Sequence, residues 1–255
     1  MNNLLLIDGH SILNRAFYGI PMLTNHEGIH TNAIYGFINI MLRAMEDEKS
    51  DHIAVAFDLK APTFRHKMYE MYKGTRKPMP AELHEQVPVI KEILASMNIP
   101  VITLEGYEAD DILGTVGKKA QSLGYNVVIL SGDRDLLQLA DEHIKIRLPK
   151  TIKGRTEIEN YYPEDVMEKY MATPSEFIDL KALMGDSSDN IPGVPGIGEK
   201  TAMSIISKYH SIENAYEHVE ELTPAKAKNS LRENYDLAKL SKVLATKKKK
   251  SQGEL

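Results

Sequence analysis

The sequence contains no cysteine. Disulfides, thiolate nucleophiles, iron–sulfur clusters and Cys-ligated zinc are therefore excluded. Glycine and proline are sparse, 16 and 12 of 255 residues, too few for a low-complexity chain. No apolar run approaches the roughly 18 residues that a membrane span needs. The N-terminal stretch Met1 to Asp8 has no basic lead-in and only the short apolar run Leu4–Ile7, so it does not read as a signal peptide. These absences point to a cytoplasmic protein without a membrane partner. The remainder is ordinary for a globular protein, 42% hydrophobic and 26% charged. The length admits one large domain or two small ones.

Apolar patterning divides the chain. Leu4–Ile7, Ile53–Phe57, Val101–Leu104 and Val127–Leu130 are short apolar runs that read as buried strands, with Ile144–Leu148 as a fifth. Between them lie helical stretches. Ser11 is placed to cap the first, Asn32–Glu46 carries a core-facing stripe, and Glu108–Leu123 stops before Gly124. Pro80–Met97 also reads as a helix, which Pro88 must kink or start. Strands alternating with helices predict an α/β unit with a mostly parallel central sheet and flanking helices. From about Tyr162 the pattern becomes helices broken by Gly and Pro. The organisation read is an α/β unit over 1–160, a helical unit over 161–245 and a basic tail over 246–255. The Lys247–Lys250 run reads as disordered.

In a parallel sheet, ligands bind beyond the carboxyl ends of the strands. Asp8, Asp58 and Asp133 each follow a strand there, and Asp135 is two residues on. Glu108, Asp110 and Asp111 open the helix after the third strand, and Asp186 and Asp189 lie in a polar loop of the helical unit. Each alone reads as a turn, cap or dipole-complementing residue. Gathered on one rim they would repel without cations. Hard oxygen donors suit Mg²⁺ or Mn²⁺, and so rich a set suits two ions acting on a phosphoryl group. An EF-hand does not fit, because Asp133-Arg134-Asp135 lacks the required loop Gly and closing Glu. The overall charge is −5, yet setting these nine acids aside leaves 27 of 36 against 31 basic residues. The rest of the protein is thus net positive, in keeping with a nucleic-acid partner.

Two further segments carry chemistry. Thr63–Pro80 interleaves Arg65, Lys67, Lys73, Arg76 and Lys77 with Phe64, Tyr69 and Tyr72, a pattern suited to phosphates and unstacked bases. Its Lys73–Pro80 part has little apolar content to pin it. Gly193-Val-Pro-Gly196-Ile-Gly198-Glu-Lys200 is not a Walker A loop, because Glu199 separates the last Gly from Lys200 and no strand precedes it. It reads instead as a helix–hairpin–helix, a grip on duplex backbone that does not read sequence.

These motifs resemble the 5′ nucleases found at the N-terminus of bacterial DNA polymerase I and, more broadly, the flap endonucleases. The resemblance runs from Asn3 to about Ala245. It rests on Ile-Asp-Gly at 7–9, Ala-Phe-Asp at 56–58, Tyr-Lys-Gly-Thr-Arg at 72–76, Glu-Ala-Asp-Asp at 108–111, Gly-Asp-Arg-Asp at 132–135 and the glycine-rich segment 185–198. It implies a PIN-like or resolvase-like α/β fold, a helical arch over about 63–90 and a C-terminal helix–hairpin–helix unit. It assigns Asp8, Asp58, Glu108, Asp110, Asp111 and Asp133 to an inner metal cluster, and Asp135, Asp186 and Asp189 to a second metal. Lys73 and Arg76 match arch residues that contact the reacting phosphate. Arg15, Arg65 and Tyr72 fall on substrate-contacting regions. Gly193, Gly196, Gly198 and Lys200 match the hairpin that grips downstream duplex, where carbonyls can hold K⁺. The tail from Lys247 departs from the family, whose members continue with apolar and acidic residues.

The resemblance implies Mg²⁺-dependent hydrolysis of DNA at 5′ ends and 5′ flaps, RNA-primed ones included, leaving 5′ phosphates in replication and repair. It further implies a monomer working with a linked or separate DNA polymerase. Two other readings stay open at this point, a PIN-like ribonuclease and a non-catalytic DNA-binding module.

Overall fold

A computed structural model describes residues 2–152 and 155–248. The α/β unit comprises β1 (Asn3–Asp8), α1 (Gly9–Gly19), α2 (Asn32–Asp47), β2 (His52–Ala56), α3 (Phe64–Met68), α4 (Ala81–His84), α5 (Gln86–Ser96), β3 (Val101–Ile102), α6 (Ala109–Ser122), β4 (Asn126–Leu130), β5 (Ile144–Ile152) and β6 (Arg155–Tyr161). The helices α7 (Pro163–Tyr170), α8 (Glu176–Met184), α9 (Glu199–Tyr209), α10 (Ile212–Glu217), α11 (Ala225–Glu233) and α12 (Tyr235–Ala245) follow.

The strands form one sheet in the order β3-β2-β1-β4-β5-β6. Every pairing is parallel except β5 with β6. The mostly parallel α/β sheet with flanking helices and a C-terminal helical unit is therefore as expected. The two-residue side-chain period divides β1 between two cores. Leu5 and Ile7 pack with Phe37, Met41, Val55 and Phe57 under α1, α2 and α5. Leu6 packs on the other face with Ile112, Leu113 and Ile129. That second core continues without a break into Phe177, Leu180, Leu183 and Ile206, so the helical unit shares it.

Several local expectations are corrected. Asp8, not Ser11, caps α1, its carboxylate accepting from the Ser11 backbone N–H at 3.1 Å. The 80–97 helix is two helices that break at Glu85, with Pro88 in the first turn of α5, where its missing N–H is tolerated. The arch region is helical only at its ends, in α3, α4 and α5. The antiparallel strand β6 carries no short apolar run, since Arg-Thr-Glu-Ile-Glu-Asn-Tyr is largely polar.

The basic tail is corrected at its start. Thr246–Lys248 folds back onto the protein and Lys247 is 2% exposed. The expectation for 249–255 lies outside the described residues. Among the described residues no helix is long and apolar enough to cross a membrane.

Candidate active site

Strand order reverses between β1 and β4, so the connections diverge there and a crevice opens beyond the strand ends. Asp8 ends β1 and Asp133 follows β4, which brings them to opposite sides of that crevice. Gly9 lets the start of α1 pass close against Phe57, because a Cβ there would lie 2.5 Å from the Phe57 ring. Asp58, beyond β2, accepts from the Ala109 N–H at 2.7 Å and so ties itself to the start of α6. Glu108 and Asp110 enter from that helix start. Asp186 comes from the loop after α8.

The result is a cleft of about 560 Å³ lined by Asp8, Asp58, Glu108, Asp110, Asp133, Asp135 and Asp186, with Lys73, Arg76 and Lys181. Seven of the nine predicted carboxylates thus meet. Asp111 and Asp189 do not line it. Asp111 is buried and clasped by Arg65, whose Nη1 and Nη2 donate at 2.7 and 2.8 Å. Asp189 is turned to Arg76 Nη2 at 2.5 Å and the Tyr72 hydroxyl at 3.1 Å.

The expected substrate contacts of Arg65 and Tyr72 are likewise corrected by burial, at 0% and 1% exposure. Arg65 joins Asp111 to Glu108, and Tyr72 donates to Glu108 Oε2 at 3.1 Å, so both brace the arch from inside. Lys73 and Arg76 do reach the cleft. Lys73 Nζ is 2.5 Å from Glu108 Oε1, and its backbone N–H donates to Asp189 O at 2.8 Å. The start of the 73–80 segment is therefore held by polar contacts where apolar ones are lacking.

Burial raises the carboxyl pKa of Asp8 to about 7, with Asp110 and Asp58 repelling its charge. Burial raises Asp110 and Asp133 too, and Asp135 adds to the effect on Asp133. At Glu108 burial is outweighed by Lys247, Lys73 and Arg65, which hold it at about 2. Lys181 does the same for Asp186, also about 2, while its ammonium lies 2.8 Å from Asp135.

Among the described residues no three carboxylates or imidazoles converge closely enough to hold one ion. Ammonium groups lie among them instead, Lys73 on Glu108, Lys181 on Asp135 and Asp186, Lys247 on Asp110. The donor set still fits a hard divalent cation. It is all carboxylate oxygen, and buried Asp8 and Asp110 and half-buried Asp133 have their charges opposed by desolvation and by neighbouring acids, a cost that a cation relieves.

Lys181 and Lys247 were not legible as site residues, and neither was His10, whose Nδ1 lies 3.6 Å from Asp58 Oδ2. His10 follows the Asp-Gly turn directly, and that adjacency is the one signal that could have found it.

The remaining predicted residues lie around the cleft. Arg15 on α1 is half-buried in a neighbouring groove and donates to the Thr151 hydroxyl at 3.0 Å. The two grooves share Ser11 and Gly132. Gly193, Gly196 and Gly198 form the hairpin between α8 and α9, with Gly198 as the N-cap of α9 and Lys200 exposed in its first turn. Gly193 has φ +62°, and a Cβ there would sit 2.4 Å from Gly185 N, so two backbone strands touch where no side chain fits.

Residues 3–171 match the family model for the N-terminal resolvase-like domain of 5′–3′ exonucleases, and residues 172–254 that for their C-terminal SAM fold. The chain is 48% identical over 252 residues to DNA polymerase I of Bacillus caldotenax, covering 99% of this chain and 28% of that protein. It is 49% identical over 243 residues to DNA polymerase I of Bacillus subtilis, covering 95% and 27%. The chain thus spans less than a third of the length of these curated relatives.

Among solved structures, the bacteriophage T5 flap endonuclease, in a pseudo-enzyme–product complex with DNA and metal ions, superposes with a TM-score of 0.77 at 24% identity. The match covers 96% of this chain and 89% of that one. That likeness shows the shared fold. On the family models and the polymerase relatives together, the chain belongs to the 5′–3′ exonuclease family.

Proposed function

We propose that this chain is a structure-specific 5′ nuclease. It hydrolyses DNA phosphodiester bonds at 5′ ends and 5′ flaps with two divalent ions, Mg²⁺ or Mn²⁺, and leaves 5′ phosphates. The observation that carries the reading is the convergence of seven carboxylates on one cleft that Lys73 and Arg76 also enter. In this reading the lysines release their carboxylates, and Asp8, Asp58, Glu108, Asp110 and Asp133 would then draw in around one ion, and Asp135 and Asp186 around the other. The bound ions would supply a hydroxide at neutral pH and a positive field on the scissile phosphate.

The protein's own groups do the rest. Lys73 and Arg76 exchange their carboxylate partners for the phosphoryl oxygens and stabilise charge as it develops. Arg76 is half-exposed and Lys73 less so, which leaves both able to swing without unfolding the arch base. Ser131 and Ser11 fix Asp8, the Ser131 hydroxyl donating to Oδ2 at 2.7 Å and the Ser11 N–H to Oδ1. The carboxylate is therefore presented in one orientation. The 193–198 hairpin and the N-terminal turn of α9 would take duplex phosphates, so that junction shape rather than base sequence selects the substrate. A polymerase, linked or separate, is the partner suited to such an activity.

A 5′-flap duplex labelled at the flap tip and at the downstream 3′ end tests this. With Mg²⁺ the products should cluster at the junction and carry 5′ phosphates, and EDTA should abolish them. Flap binding without cutting in Mg²⁺ would sink the enzyme reading in favour of a binding module. Preferential cutting of an all-RNA flap would move it to a ribonuclease.

A further inference from the structure

Arg65, Lys73, Arg76 and Lys181 enter the acidic cluster from the arch and from α8. Another cation arrives from elsewhere. α12 ends at Ala245, and the next three residues turn back across the start of α6. The turn is secured residue by residue. Gln138 Nε2 donates to Ala245 O at 2.9 Å, and Arg65 Nη2 to Thr246 O at 2.6 Å. The Lys247 N–H donates to Gln138 Oε1 at 2.7 Å, and the Lys248 N–H to Asp111 Oδ1 at 2.8 Å. The Lys248 ammonium lies over the Phe64 ring, 4.5 Å from its centre. Gly114 leaves room for the strap, since a Cβ there would be 2.8 Å from Lys248 O.

This scaffold drives the Lys247 side chain inward. It is 1% exposed, with Nζ 3.0 Å from Asp110 Oδ2. Asp110 lines the cleft and Lys247 does not, so the lysine reaches Asp110 from behind. An ammonium proton and a divalent ion draw on the same carboxylate. With both present, two cations would crowd one carboxylate in a buried place where solvent screens little.

We propose that Lys247 is a positioning residue that holds Asp110 through its ammonium and yields to a divalent cation there, so that docking of segment 245–248 and metal loading oppose each other. The inference rests on the reading above that Asp110 is a metal ligand. It extends that reading by making the metal affinity of the cleft adjustable from the end of α12. The coupling is reciprocal, so metal should loosen the strap as much as the strap weakens metal.

Two measurements on the full chain test it. In the first, lysines of the unaltered protein are acetylated with limiting acetic anhydride in EDTA and in Mg²⁺, and modification is read by mass spectrometry. Exposed Lys49 serves as the internal reference. Lys247 should be labelled about tenfold faster in Mg²⁺ with Lys49 unchanged. Equal protection of Lys247 in both conditions overturns the inference.

In the second, Mn²⁺ binding is followed by the electron paramagnetic resonance signal of free Mn²⁺. Lys247→Met should bind Mn²⁺ about tenfold more tightly, and Lys247→Arg should stay within about threefold of the unaltered protein. Lys247→Met binding no more tightly overturns the inference while leaving the nuclease reading intact. An unaltered protein that neither binds Mn²⁺ nor cuts a flap overturns both.

Discussion

Arg65 and Asp111 are buried face to face, the guanidinium donating from Nη1 to Oδ2 at 2.7 Å and from Nη2 to Oδ1 at 2.8 Å. The same guanidinium also ties Glu108 and the carbonyls of Leu244 and Thr246, so it joins the arch, α6 and the end of α12. Removing it leaves two buried carboxylates short of a partner. Arg65→Leu should therefore destabilise the fold by about 3–5 kcal/mol in urea titration. Loss of a substrate-contacting arginine would instead lower the salt dependence of DNA binding and spare stability. A loss under about 1 kcal/mol together with a shallower salt slope would return Arg65 to the DNA surface.

This pair also marks where sequence reading runs out. β1, β2 and β4 were legible because strands buried on both faces are short apolar runs, and the aspartates that close them fall at the sheet edge where ligands bind. The hairpin was legible because glycines at 193 and 196 answer to backbone geometry. Arg65 and Asp111 are far apart in the chain, and nothing local says that a basic residue in an aromatic-rich segment points inward. Lys247 was illegible for the same reason. A run of lysines looks solvated until the carboxylate behind it is known. β6 escaped because an edge strand with polar residues on both faces carries neither alternation nor an apolar run.

The raised carboxyls give stability a pH dependence with a defined sign. The Asp8 pKa is about 7 in the fold against an ordinary 3.8. A group raised in this way favours the fold while protonated, fully so below its unfolded value, and the advantage is lost as pH climbs through the folded value. In EDTA, unfolding free energy should therefore fall between about pH 4 and pH 8, by up to about 4 kcal/mol from Asp8 alone. Glu108 and Asp186, both held at about 2, work in the opposite direction but only at the low end, up to about pH 5, where their unfolded forms are still partly protonated, so the fall is clearest above that. Saturating Mg²⁺ should flatten the fall. A curve that is flat in EDTA, or rises over this range, would contradict the arrangement of buried like charges.

Under the proposed function, loss of Asp133 should separate binding from chemistry. Its carboxylate accepts the Asp135 N–H at 2.8 Å, and the charges of Asp135 and Asp110 oppose its own. Asp133→Asn keeps the shape and removes one opposed charge. Flap cleavage should drop by at least about 10³-fold while flap affinity in Ca²⁺ stays within about threefold. The variant should also melt higher than the unaltered protein in EDTA. Normal cleavage in Mg²⁺ would remove Asp133 from the site.

The hairpin offers a matched pair of substitutions. Gly193 combines φ +62° with a Cβ position 2.4 Å from Gly185 N, whereas Gly198 has φ −93° and nothing within 4 Å of its Cβ position. Gly193→Ala should cost about 2–4 kcal/mol, from left-handed strain and a backbone clash that cannot relax by moving a side chain. Gly198→Ala should cost less than about 1 kcal/mol, the usual penalty at an N-cap. Thermal melts of the two variants decide, and equal costs would mean that the hairpin backbone is not fixed as described.

In the proposed reaction Lys73 acts on rate more than on binding. Its φ of +55° is unusual for a residue with a side chain, and it is followed by Gly74 and fixed by the hydrogen bond from its N–H to Asp189 O. The backbone thus aims the side chain into the cleft, where its ammonium meets Glu108 Oε1 at 2.5 Å. Glu108 keeps Arg65 and the Tyr72 hydroxyl if the ammonium is lost, so Lys73→Met should lower stability by about 1–3 kcal/mol, less than Arg65→Leu. One phosphate contact among many contributes little to DNA affinity, and Kd should move less than about tenfold. A charge that acts on the phosphoryl oxygens only as the bond breaks contributes to rate instead, so single-turnover cleavage should fall by about 10²–10³-fold. A fall in affinity that accounted for the whole loss of cleavage would make Lys73 a binding residue and leave Arg76 as the cation at the reacting phosphate.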